Sequence, residues 1–227
     1  MYKKMIRLLC MIICCLSLIG CTSDKTHQDE KLIDMVKEKE INEYLFFTYQ
    51  IPFSEYEENM KKLYYKNYSL DYIKNSTRPV ISYEDRKLVL KDILDYTTED
   101  LKVLRQDIKK SLEESIRDGK IIPVELAGAR GPLEISKVYY DDTFKNKVVF
   151  VKNELTYNDP NLNVKYYRRH IFREEDGEWK LWEVREDFHY GDKMPVPKAV
   201  ELFSNYNGVE VEYPYTLDLN KYNKEWF

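Results

Sequence analysis

The order of hydrophobic periods in the chain predicts an α+β domain. Up to Gly119, apolar residues recur every three or four positions among charged ones; beyond it they recur every second position. Asp176-Gly177 then separates two alternating runs, a dipeptide that favours a tight antiparallel turn. Helices first and long strands afterwards imply N-terminal helices packed on an antiparallel meander sheet.

The first residues stand apart from that domain. Lys3, Lys4 and Arg7 precede an apolar run from Leu8 to Ile19, and small Gly20 stands before Cys21. A positive n-region, an apolar h-region and a small residue at the cut site describe a secretory signal peptide. The run is shorter than the roughly 20 residues that span a bilayer. Leu18-Ile-Gly-Cys21 resembles the lipobox of bacterial lipoproteins. The resemblance implies that the Cys21 thiol receives a diacylglyceryl group and that a peptidase cuts just before it. Residues 1–20 are then the leader, 21–30 the lipidated cysteine and a flexible polar tether, 31–189 the α+β domain and 190–227 a C-terminal extension. Two acyl chains contribute on the order of 20 kcal/mol of membrane affinity at about 0.8 kcal/mol per methylene.

Cysteine and charge narrow the function classes. Cys10, Cys14 and Cys15 fall in the leader and Cys21 is taken by lipid, so the mature domain has no disulfide, thiol nucleophile or thiolate metal site. The whole chain holds 36 basic and 40 acidic residues; without Lys3, Lys4 and Arg7 the basic count is 33, a net charge of about −7. Bulk charge of that sign argues against nucleic acid as a partner. Abundant Lys, Asn, Ile and Tyr suggest an AT-rich genome, as in low-GC Gram-positive bacteria.

Four helical segments are expected. Residues 29–48 carry Leu32, Val36, Tyr44 and Leu45 at helical spacing. Pro52 breaks the chain, and Ser54-Glu-Tyr-Glu57 has the form of a capping box opening a helix with Tyr56, Met60 and Leu63 inward. Ser82-Tyr-Glu-Asp85 repeats that form before Leu88, Val89 and Ile93, predicting a short helix. Thr97 or Thr98 caps the clearest helix, with Leu101, Leu104, Ile108, Leu112 and Ile116 on one stripe, and Asp118-Gly119 ends it.

The strands follow. Residues 121–126 read as an edge strand interrupted by Pro123, and residues 128–132 as a turn. Residues 133–140, 147–157, 163–172 and 178–188 read as four long strands in a meander, joined by Asn158-Asp-Pro-Asn161 and Glu175-Asp-Gly177 among other turns. In the tail, residues 198–206 predict a short helix and Val209-Glu-Val-Glu-Tyr213 an added edge strand.

This order resembles the NTF2-like (SnoaL, cystatin-like) domains, on the pattern Tyr166-Tyr-Arg-Arg-His-Ile-Phe172 followed by Asp176-Gly-Glu-Trp-Lys-Leu-Trp182. The resemblance implies a curved antiparallel sheet whose concave face is covered by helices, the cone of that family. The segment near residues 84–118 and the C-terminal extension depart from the pattern.

Candidate chemistry is sparse. In the enzymes of that family, which include isomerases and hydrolases, the concave face holds an acid/base pair. Here that role would fall to His170 with a strand-borne carboxylate, Glu183 or Asp187. The same residues also suit a cross-strand ion-pair ladder, Glu183 and Glu186 facing Arg168 and Arg169. His27, His170 and His189 have no ligand spacing, and Asn158-Asp-Pro-Asn-Leu-Asn163 lacks the Gly and Glu of a calcium loop, so no metal is expected. No glycine-rich phosphate loop and no Gly-x-Ser-x-Gly elbow occur, and no cofactor is expected. The paired aromatics, Trp179 and Trp182 among them, read as core or as a stacking groove. The reading is a lipoprotein on the extracytoplasmic face of the cell membrane. It is expected to be a non-enzymatic binding or assembly module for an envelope protein or small apolar ligand. Alternatives are a small-pocket enzyme using His170, and an immunity or inhibitor protein at the cell surface.

Overall fold

The computed structural model describes residues 26–83, 86–117, 129–156, 163–190 and 198–222. The leader, Cys21, the strand expected at 121–126, the helix end at 118–119 and the turn at 158–161 lie outside the described residues. Among the described residues no helix is long and apolar enough to cross a membrane.

Helix α1 (residues 26–47) carries the stripe expected of it, with Leu32, Ile33, Val36, Tyr44 and Phe46 buried. It begins earlier than its apolar period does, so residues 26–30, expected in the tether, are its first turn. Lys147 holds that turn in place by donating to Gln28 and Asp29. Helix α2 (Phe53–Leu63) has Pro52 at its N-cap, with no side-chain cap bond. The capping box expected from Ser54 is therefore not formed. Ser54 lies inside the first turn, and Glu57 pairs instead with Lys61 at 3.0 Å and Lys74 at 2.8 Å. Helix α3 (Asp71–Lys74) is a single turn that buries Ile73.

A second correction concerns the helix expected from Ser82. Strands β1 (Pro79–Tyr83) and β2 (Arg86–Val89) pair antiparallel there, with Tyr83 opposite Arg86. The run Pro79-Val-Ile brings β-branched residues that pack better on a pleated ladder than in a helix, and its proline occupies the first strand position, where it is tolerated. Only the following turn, Leu90–Ile93, is helical, of the 3-10 kind, and it buries Leu90 and Ile93.

Helix α4 (Thr98–Arg117) buries Leu101, Leu104 and Ile108. Thr97 caps it reciprocally: Asp100 Oδ2 accepts from the Thr97 amide at 2.9 Å, and Thr97 Oγ1 accepts from the Asp100 amide at 3.3 Å.

The long strands are β4 (Leu133–Asp141), β5 (Asn146–Thr156), β6 (Val164–Glu175) and β7 (Glu178–Tyr190), after a two-residue β3 (Ala129–Arg130) that pairs with the end of β5. They form the expected antiparallel meander. The β6–β7 turn places Asp176 at φ 53° and Gly177 at φ 83°, the two positive values that a tight hairpin of matching twist requires. Beyond it, β8 (Asn205–Tyr206) and β9 (Val209–Glu210) make a small hairpin of their own. The edge strand expected at 209–213 lies instead at β10 (Tyr215–Leu217), giving the order β10-β4-β5-β6-β7. Val211 is buried against the sheet, and next to it the Glu212 carbonyl accepts a single backbone bond from the Lys137 amide of β4 at 3.1 Å, short of a continuous ladder.

Strand alternation splits the packing. Leu133, Ile135, Val149, Val151, Phe172 and Leu181 join the core with the helices. Val148 and Phe150 point the other way and are covered by Phe203, Tyr206 and Val211. The Phe150 ring lies 5.1 Å from both Phe203 and Tyr206. The C-terminal extension thus roofs the second face of the sheet.

Phe150 has no exposed surface, whereas Phe144 is 68 % exposed. Phe150→Ala should lower unfolding free energy by about 3–5 kcal/mol, and Phe144→Ala should change it by about 0.5 kcal/mol or less. Urea unfolding of both variants measures the difference; equal losses would mean that the extension does not seal that face.

Candidate functional site

The apolar stripe of α1 continues from Leu32 and Val36 to Glu40, with Lys39 and Glu43 beside it. Helical geometry therefore turns three charges toward the sheet. Lys39 and Glu40 are almost wholly buried, at 1 % and 2 % exposure. On β6, Arg168 and His170 are two residues apart and share a face. They meet the helix: His170 Nε2 lies 3.0 Å from Glu40 Oε1, and Arg168 Nη1 donates to Glu40 Oε2. Lys39 Nζ reaches Glu43 Oε2 at 2.6 Å and Glu40 Oε1 at 3.3 Å. On the far side, Arg168 Nε donates to Glu186 Oε1 of β7 at 3.1 Å. A continuous chain of opposite charges thus runs from α1 through β6 to β7.

Burial alone would push the Glu40 carboxyl up. The Arg168 guanidinium, the Lys39 ammonium and the His170 bond outweigh it and hold the carboxyl well below its usual range. Burial would lower Lys39, but Glu40 and Glu43 leave it raised. Burial dominates at His170 and lowers its pKa despite Glu40, with Lys39 and Arg168 adding to the effect. His170 is accordingly neutral near pH 7. An ionised carboxylate only accepts hydrogen bonds, which assigns the ring proton to Nε2. Its Nδ1 is buried with no partner among the described residues. Above the cluster, burial raises Tyr56 and Tyr64, and the Glu43 charge adds to this, so both hydroxyls stay protonated. Tyr64 stacks on Tyr68 with centroids 3.6 Å apart.

Chemically this is a closed clamp. Glu40 is a weak base because two cations hold its charge. Lys39 is a weak nucleophile because it stays protonated. His170 has no exposed surface from which to touch a substrate.

The carboxylates expected beside His170 lie elsewhere. Val184 stands opposite His170, so alternation sends Glu183 and Asp187 to the other face of β7. Glu183 is bound by Arg185 at 2.8 and 3.0 Å, and Asp187 stands opposite Tyr167. Of the ladder, Arg168 meets Glu186, while Arg169 stands opposite Arg185. The candidate aromatics are engaged within the fold. Trp182 stacks on Tyr65 at 4.3 Å under the Arg173 guanidinium, and Trp179 lies beneath Lys147. Among the described residues no three His, Asp, Glu or Cys side chains are grouped to hold a metal ion. Sequence reasoning missed Lys39, Glu40 and Glu43, although charges falling on an apolar stripe were their signal.

Glu40→Gln leaves Arg168 and Lys39 without their shared counter-charge and should destabilise the fold by about 3–5 kcal/mol. Acid should act in two stages. His170 is lowered from 6.5 in the fold, so its contribution is complete above that value and falls as the pH drops below it. Glu40 is lowered from 4.5, so its contribution is lost as the pH falls further, through its folded value. Urea midpoints between pH 3 and 8 should show both stages in the native sequence and a smaller lower one in Glu40→Gln, where Glu57 and Glu183 still contribute. An unchanged lower stage would remove Glu40 from the account.

A comparison of the chain with protein families, curated proteins and solved structures finds no match.

Proposed function

We propose that the chain is a lipoprotein anchored through Cys21 to the extracytoplasmic face of the cell membrane, and that its α+β domain is a non-enzymatic binding or assembly module. The anchor rests on the sequence from Lys3 to Cys21: charge, apolar run, small residue and lipobox in order. Helices on one face of a four-strand meander support an NTF2-like cone, with the β1–β2 hairpin and the C-terminal roof as its own additions. One observation carries the non-enzymatic part. His170, the residue best suited to acid/base work, is sealed at 0 % exposure against a carboxylate that is already neutralised. A domain whose strongest electrostatic cluster is spent internally presents its surface, and not a reaction centre, to its surroundings.

Mass spectrometry of the protein extracted from membranes of a lipoprotein-processing bacterium tests the anchor. The expected species begins at Cys21 with a diacylglyceryl thioether, and Cys21→Ala should abolish that mass. Chains retaining residues 1–20 with an unmodified sulfur would contradict it. Cross-linking on the same membranes should yield a discrete adduct; turnover of a small substrate that is lost in His170→Gln would overturn the binding reading.

A further inference from the structure

The start of α1 and the β4–β5 turn meet at one end of the domain. Lys147, the second residue of β5, donates to Gln28 Oε1 at 2.7 Å and Asp29 Oδ1 at 2.8 Å. From there α1 runs inward until Glu40 reaches His170, so residue 26 stands at the turn end of the helix. The turn itself, residues 142–145, is held rigidly. Asp141 Oδ1 accepts from the Thr143 and Phe144 amides at 3.0 and 3.2 Å, and Asp141 Oδ2 accepts from the Tyr206 hydroxyl at 2.8 Å. Lys145 adopts φ 55°. This ordered turn presents Phe144 at 68 % exposure, and Tyr140, opposite Lys147, at 48 %. Within the turn Asp142 and Lys145 are exposed and of opposite charge, while the acidic β6–β7 hairpin with Glu175, Asp176 and Glu178 stands at the same end of the meander.

We infer that Phe144 and Tyr140 form a tip that sits in the lipid–water interface of the anchoring membrane. The inference rests on the reading that Cys21 carries lipid. Five Cα steps separate Cys21 from residue 26, and extended chain spans at most about 3.6 Å per residue. The anchor therefore holds residue 26 within roughly 18 Å of the Cys21 Cα. Aromatic rings are favoured at headgroup depth, where an apolar body and a polar rim are both accommodated. A rigid turn adds no ordering cost on contact. The lipid surface is the one partner that the chain itself brings to this end of the molecule. The tether thereby sets the orientation of the domain as well as its address, with α4 directed away from the membrane.

The test uses the full lipidated protein in vesicles of phosphatidylcholine and phosphatidylglycerol. Phe144→Cys and, separately, Val103→Cys are labelled with an environment-sensitive nitrobenzoxadiazole dye. Val103 is 52 % exposed on α4, which meets the opposite end of α1 through the Arg105 bond to the Tyr49 carbonyl. The label at 144 should shift its emission to the blue and be quenched by headgroup-level spin-labelled lipid about threefold or more above the label at 103. Equal, water-like emission at both positions, in protein whose mass shows the Cys21 lipid, would overturn the tip while leaving the anchor intact. A blue shift at 144 that survives in detergent and ignores spin-labelled lipid would assign the tip to a second copy and also overturn the inference. An unmodified Cys21 would remove the anchor reading and this one with it.

Discussion

Glu40 on α1, gripped by Arg168 and His170 on β6, is the contact on which the arrangement of helices over the sheet depends. Its partners are 128 and 130 residues away in sequence. Dehydrating such charges costs several kcal/mol per ion, and well-packed apolar residues often match or exceed a buried pair in stability. What the pair supplies instead is a unique position. Sliding α1 by one turn displaces Glu40 by about 5.4 Å, which takes its carboxylate away from Arg168 and His170 and leaves Arg168 with Glu186 alone. An all-apolar interface would tolerate that slip far better.

Other contacts are consistent with that one position. Lys147 fixes the first turn of α1, Asn59 of α2 bonds Asn42 at 2.9 Å midway, and Arg105 of α4 bonds the Tyr49 carbonyl beyond its end. The sheet is covered on its other face by Phe203, Tyr206 and Val211. That cover lies over Val148 and Phe150, and the charged cluster is enclosed on the opposite side of the sheet. The edge of β7 is partly closed as well, since the Tyr65 amide donates to the Leu181 carbonyl. Its outer residues Glu183, Arg185 and Glu186 carry charges of the kind that discourage strand-to-strand association.

Where local physics decides, the sequence was legible. The four long strands follow from a period of two, the β6–β7 hairpin from Asp176-Gly177, and the start of α4 from a threonine cap at Thr97 or Thr98, which the structure assigns to Thr97. Reading failed where two local signals compete or where pairing is distant. Ser54 and Ser82 both open a capping pattern, yet Pro52 took the cap in one case and the β-branched Val80-Ile81 won a hairpin in the other. Tyr215–Leu217 pairs with β4 some eighty positions earlier, and nothing local marks it over Val209–Tyr213. His170 stands out in the sequence as a titratable residue on a strand, which points to the strand-borne Glu183 or Asp187 as its partner. The carboxylate came from a helix, and its trace in the sequence was a break in hydrophobicity on the α1 stripe at Lys39, Glu40 and Glu43.

The coupling between α1 and β6 is carried by the contact of Glu40 with Arg168. A double-mutant cycle with Glu40→Ala and Arg168→Ala, read by urea unfolding at pH 7, measures it. Each single change should be severe and the pair much less than their sum, with a coupling of about 1.5–3 kcal/mol. Losses that add to within about 0.5 kcal/mol would show that the two side chains act independently and that something else holds the helix to the sheet.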